Sequence, residues 1–335
     1  MTGAVRDLWD RIRRTPAEDW HFEHIPPERA PADGAHHDVA AEEGYVSAHL
    51  AAMRLSEVRI GTKRLYASVT SLFTADTLAG TRAEFLTVST PEMLRDADAA
   101  NLDRVVVAGK RLLGPIPYRG GDISAEIGLF AVPSADLLDP YLDLVEQVSA
   151  FAGVSFVPAA KSLVPTAKAA LDAIFGTSGS PSLEIGVAKD FSTVTTGYYC
   201  VVRTPRSGAS PAGLRVAADG RLERDDGSEV TEPYLVFQIS ADTKRDDWAM
   251  IPDLQAGYER IRQAARFGDL RLATAEMAVF ERAAIFSPDL LPEDGRRIAD
   301  TVRARIQLAF PQTKTARSDP AEDVMPAFAD LPVPF

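Results

Sequence analysis

This 335-residue chain has one cysteine, few histidines and no long apolar run, and each scarcity narrows what it can be. The lone thiol, Cys200, excludes an intramolecular disulfide framework, so the sequence carries no mark of an oxidising compartment and reads as cytoplasmic. No stretch reaches the roughly 20 uninterrupted apolar residues that a spanning helix needs. The nearest approach, 147–160, is closed at its ends by Glu146 and Lys161. The opening run, MTGAVRDLWDRIRR, is charged throughout and lacks the apolar stretch of a secretory signal, so no leader is expected.

Positive charge is also short. Lysine and arginine total 36 against 48 acidic residues, a net charge of −12. That balance excludes a general nucleic-acid binder, which needs a concentrated basic face to neutralise phosphates. The small basic clusters at Arg11, Arg13 and Arg14, and at Arg296, Arg297, Arg303 and Arg305, are accompanied by acids and read as solvated helix faces. Familiar catalytic signatures are missing too. There is no GxxxxGK[ST] loop to cradle phosphate, no GxGxxG after a strand and no GxSxG elbow. No cofactor and no metal are expected.

What is present is ordinary globular material, 46% hydrophobic and 25% charged, in a chain long enough for a sizeable core. Val5, Leu8, Trp9 and Ile12 stand at helical spacing and predict a short amphipathic helix that docks on the body or on a partner. Prolines 16, 26, 27 and 31 then predict an extended arm to about Ala40, and 42–53 reads as a further helix. From residue 57 the apolar residues alternate. Strands are expected at 58–60, 65–72, 83–89, 104–113 and 123–132, the last two joined at the glycine turn Tyr118–Asp122. Capping residues Ser134 or Asp136, and Pro158 in a first turn, predict a helical hairpin, after which strands resume at 183–189, 195–204 and 234–240. Helical spacing then governs 252–267, 270–286 and 292–310.

Strands first and helices last favour an α+β fold. The expected architecture is an antiparallel β-sandwich-like domain with an inserted helical hairpin, followed by a C-terminal helical module. The boundaries are 1–56 for the amphipathic helix and arm, 57–241 for the β-rich domain with its hairpin at about 134–176, 242–310 for the helical module and 311–335 for a flexible tail.

Two surfaces stand out as candidate binding sites. Asp242, Lys244, Arg245, Asp246, Asp247 and Trp248 form the densest polar cluster between two predicted elements, combining carboxylates, cations and a stacking aromatic. The same residues also suit a structural role, with Asp246 or Asp247 capping the next helix, Lys244 and Arg245 paired locally and Trp248 packed at the junction. The second surface is the hairpin 137–175, whose apolar loop 153–158, with Val154 and Phe156, and the adjacent Phe151 suit a bilayer interface, a partner helix or burial against the sheet. Weaker candidates are the carboxylates Asp219, Asp225, Asp226 and Glu229, which read as hairpin turns, and the N-terminal histidines, His21, His24, His36, His37 and His49. Cys200, between Tyr199 and Val201 in a predicted strand, reads as structural.

The expectation that follows is a noncatalytic protein-interaction module, an adaptor or effector subunit with a protein partner. The alternatives are a peripheral membrane-acting protein that uses the 137–175 hairpin, and a hydrolase whose active site is assembled from separate loops.

Overall fold

The computed structural model describes residues 9–10, 12–14, 20–55, 59–60, 63–77, 80, 82–89, 106–133, 182–203 and 213–310. The helical hairpin expected near 134–176, with Phe151, Val154 and Phe156, and the tail from 311 lie outside the described residues. The chain divides into two compact units, Met1–Ala41 with Val46–Ala241, and Glu42–Tyr45 with Asp242–Phe335.

The first unit is an α+β fold's β part, built from two five-stranded antiparallel sheets. One runs β1 (Trp20–His24), β9 (Gly197–Arg203), β12 (Tyr234–Asp242), β2 (Tyr45–Arg54), β6 (Val106–Pro117). The other runs β3 (Arg59–Ile60), β4 (Lys63–Asp76), β7 (Ile123–Pro133), β8 (Ser182–Phe191), with β5 (Arg82–Ser89) paired to β4. Alternate residues of both sheets enter one core: Val46, Ala48 and Leu50 from β2, Tyr199 and Val201 from β9, Val69 and Phe73 from β4, Ile127 and Leu129 from β7. Two sheets sharing one inner cluster is sandwich packing. A ribbon of β10 (Leu214–Val216) and β11 (Leu222–Arg224) makes a second apolar cluster with the outward side chains of β9, Tyr198, Cys200 and Val202. That is why β9 is buried at six consecutive positions and reads as an apolar run instead of an alternation.

The sequence misleads at one place. The alanine-rich stretch 42–53 is the strand β2 and not a helix, because Val46, Ala48 and Leu50 at period two supply an inner face whose burial outweighs alanine's helix propensity. The proline-rich arm is partly regular, since β1 pairs residue for residue with β9, from Trp20 opposite Arg203 to His24 opposite Tyr199. The glycine turn after β6, with Gly120 and Gly121 at positive φ and the Tyr118 hydroxyl donating to the Gly121 carbonyl at 2.9 Å, leads from one sheet to the other, so β6 and β7 have different partners.

Of the expected terminal helix, residues 9–10 and 12–14 are described as helical, and Trp9 and Ile12 are 2% and 1% exposed. Ile12 lies over Gly128 of β7, where a side chain would collide with it, and Arg13 pairs with Glu126 at 2.9 Å. The described part of this apolar face, Trp9 and Ile12, is therefore buried on the body.

The second unit contains α1 (Pro252–Arg266), α2 (Leu270–Ile285) and α3 (Pro292–Ala309). Proline at the first position starts α1 and α3, and the Asp269 carboxylate starts α2 by accepting from the Leu272 amide at 2.9 Å. Leu254, Tyr258 and Ile261 of α1, Met277 and Phe280 of α2, and Ile298 and Val302 of α3 are buried. No helix among the described residues is long and apolar enough to cross a membrane.

Candidate functional site

The Asp242–Trp248 segment divides by burial. Arg245 is 1% exposed and Trp248 is buried, whereas Asp242, Lys244 and Asp246 face solvent and Asp247 is intermediate. Trp248 meets the rings of Tyr258 and Phe280 edge to face, at 5.6 and 5.8 Å, and is part of the helical core. Arg245 is held at three points. Its amide donates to Asp294 at 2.8 Å, its Nε to Asp247 at 3.0 Å and one terminal nitrogen to the Asp289 carbonyl at 3.0 Å.

Asp294, in the first turn of α3, is the centre of this network. One carboxylate oxygen accepts from the Arg245 amide and from the Tyr45 hydroxyl at 2.9 Å, and the other accepts from Arg297 Nε at 2.6 Å. The Tyr45 hydroxyl in turn accepts the Leu291 amide at 2.8 Å. Burial, chiefly, raises the Tyr45 hydroxyl far above its ordinary range, so it stays protonated at neutral pH and well above. The network is a polar clip centred on Asp294, in which Arg297 Nε is bonded while its buried Nη2 makes no hydrogen bond among the described residues. Asp247 stands at the N-cap of the 3-10 turn at 248–250, but its side chain makes no capping hydrogen bond and binds Arg245 instead.

The weaker candidates are occupied locally. Asp219 accepts from the amide and the guanidinium of Arg221, Asp226 from the Ser228 amide, Asp225 pairs with Arg29, and Glu229 lies 3.6 Å from Arg54. Among the described residues no three His, Cys, Asp or Glu side chains gather as a metal site. His24 and His36 instead stack on one another at 3.8 Å, and His24 stacks on Tyr199 at 4.2 Å. Each donates from Nε2 to a backbone carbonyl, His24 to Thr196 and His36 to Ile25. Cys200 is fully buried and burial pushes its thiol up, away from nucleophilic chemistry. An apolar gap between the sheets, beside Phe73, Ile123 and Phe191, is about the size of one water molecule.

The remaining feature is on α2. Its core face is Ala273, Met277, Phe280 and Ala284. A second apolar stripe runs along the outside at Leu272, Ala275, Val279, Ala283 and Phe286, in steps of three, four, four and three residues. Leu272, Val279 and Phe286 are 45%, 43% and 74% exposed. Steps of three and four keep side chains on one line of a helix, and the two alanines leave room for another helix to approach closely. The sequence spacing predicts this helix without singling out the stripe. The signal was there, because 270–286 is apolar around more than one face, and a three-helix packing covers only one of them.

Searches for relatives found no matching protein family, no matching curated protein and no matching solved structure.

Proposed function

We propose that this protein is a noncatalytic protein-interaction module, an adaptor or effector subunit, and that its helical unit docks a partner helix on the outward face of α2. One observation carries the reading. Leu272 and Val279 of α2 and Phe286 at its C-cap are solvent-exposed at heptad spacing, on an element whose other face already fills the core. A surface helix that needed only to hold the fold would be polar there. The candidate polar segment at Asp242–Trp248 supports the same reading, since its buried members are committed to the clip and to the core. A cytoplasmic setting goes with it and rests on the lone buried cysteine.

The test is affinity capture from the native host with the immobilised chain, in parallel with the Val279→Glu variant, and identification of the captured proteins by mass spectrometry. A protein retained by the wild type and lost with the variant is expected. The same set of proteins captured equally by both would overturn the reading.

A further inference from the structure

The α2 face carries a charge pattern as well as an apolar stripe. Arg271 and Arg282 are both exposed and, at eleven residues apart, lie about three turns and about 16 Å from one another on the same side of the stripe. Neither guanidinium has an ion pair or side-chain hydrogen bond among the described residues. Other arginines of the helical unit are paired. Arg260 is held by Glu276 at 2.8 Å, Arg262 by Glu259 at 2.7 Å, and Arg303 by Glu281 at 2.7 Å. Glu276, which borders the opposite side of the stripe, is thus already neutralised, and the face presents apolar residues with a row of positive charge along one edge.

Resting on the docking reading above, we propose that the partner is an acidic amphipathic helix. Its apolar stripe packs on Leu272, Val279 and Phe286, fitting between the alanines, while carboxylates about three turns apart pair with Arg271 and Arg282. A second copy of this chain suits the face less well. Antiparallel two-fold packing of α2 on itself sets one arginine row against the other, and parallel packing would draw on Glu276, which Arg260 holds. A bilayer gains from bulky side chains and not from Ala275 and Ala283, and α2 is anchored by its core face, so it cannot sink into the interface. The chain's net charge of −12 does not bar an acidic partner. Residues 242–310 hold eleven Lys and Arg against twelve Asp and Glu, so nearly all the excess lies elsewhere and is screened beyond about 8 Å at physiological salt.

The full chain is titrated with two designed amphipathic peptides of about 18 residues, or five turns, that share one leucine stripe. One has glutamates along the edge that meets the arginine row, and the other has lysines at the same positions. The glutamate peptide is expected to bind on the order of tenfold more tightly than its lysine twin, with the difference shrinking as salt rises. The charge-reversed chain Arg271→Glu with Arg282→Glu is expected to invert that preference. Equal binding of both peptides would overturn the acidic partner and leave the docking face standing. Binding of neither, by a chain whose circular dichroism shows it folded, would overturn both. A concentration-dependent dimer lost with Val279→Glu would assign the face to a second copy, and flotation with anionic vesicles lost with the same variant would assign it to a membrane. Either result replaces the acidic helix.

Discussion

Asp294 accepts hydrogen bonds from three parts of the chain that are far apart in sequence: Tyr45, Arg245 and Arg297. Removing such a buried acceptor leaves its donors unpaired in a site that water does not reach, and the cost is set by those orphans more than by the bond energy itself. Asp294→Ala is therefore expected to destabilise the protein by about 3 kcal/mol or more. Tyr45→Phe removes one hydroxyl that both donates and accepts, and is expected to cost about 1–2 kcal/mol. Urea unfolding midpoints followed by circular dichroism check both. A smaller loss for Asp294→Ala than for Tyr45→Phe would mean that Asp294 is not the hub. The sequence made half of this visible. The polar run Asp242–Trp248 is conspicuous, and its structural reading anticipated that Trp248 packs and that Arg245 pairs locally. The Asp294 partner, 49 residues from Arg245, and the Tyr45 partner, 249 residues from Asp294, are not encoded in any local spacing, which shows Asp247 at the N-cap position but not that its side chain turns to Arg245.

At the scale of single elements, apolar patterning located most strands and all three helices of the second unit, because most of them have one dominant buried face and β9, buried on both, reads as an apolar run. It failed on β2, where alanines obscure a period of two, and it left α2 half read, since a helix with two apolar faces gives a blurred pattern. The two faces of α2 make opposite predictions for adjacent residues. Phe280 touches Trp248 and is fully buried, so Phe280→Ala is expected to cost about 3–5 kcal/mol. Val279 is 43% exposed, so Val279→Glu is expected to change stability by no more than about 0.5 kcal/mol. Thermal and urea unfolding of the two variants measure this directly. A Val279→Glu variant as damaged as Phe280→Ala would place Val279 in a packed interface within the chain and remove the free face on which the proposed function depends.

For the molecule as a whole, the stacked histidines of the first unit contribute to the dependence of stability on acidity. His24 is held below its ordinary value of 6.5, first by burial and second by the His36 ring stacked on it, while the Thr196 carbonyl opposes the shift. The folded protein therefore keeps His24 neutral at a pH where the unfolded chain would protonate it. Stability rises with pH wherever the unfolded state binds more protons. The contribution of His24 is thus fully present above 6.5 and is lost as the pH falls from there through the folded value. Unfolding midpoints are expected to drop between about pH 7.5 and about pH 5.5, more than exposed histidines would cause. His36→Gln removes the like charge while keeping a side-chain donor for the Ile25 carbonyl, so it should reduce the slope. Gly197 offers an independent lever, because its φ is 127° and a side chain there would come within 2.7 Å of the rings of both His24 and His36. Gly197→Ala should therefore lower stability at both pH values and disturb the stack. If the wild type and His36→Gln lost the same stability across that interval, the stacked pair would have no part in the acid response. The decline would then belong to the carboxylates distributed over the chain.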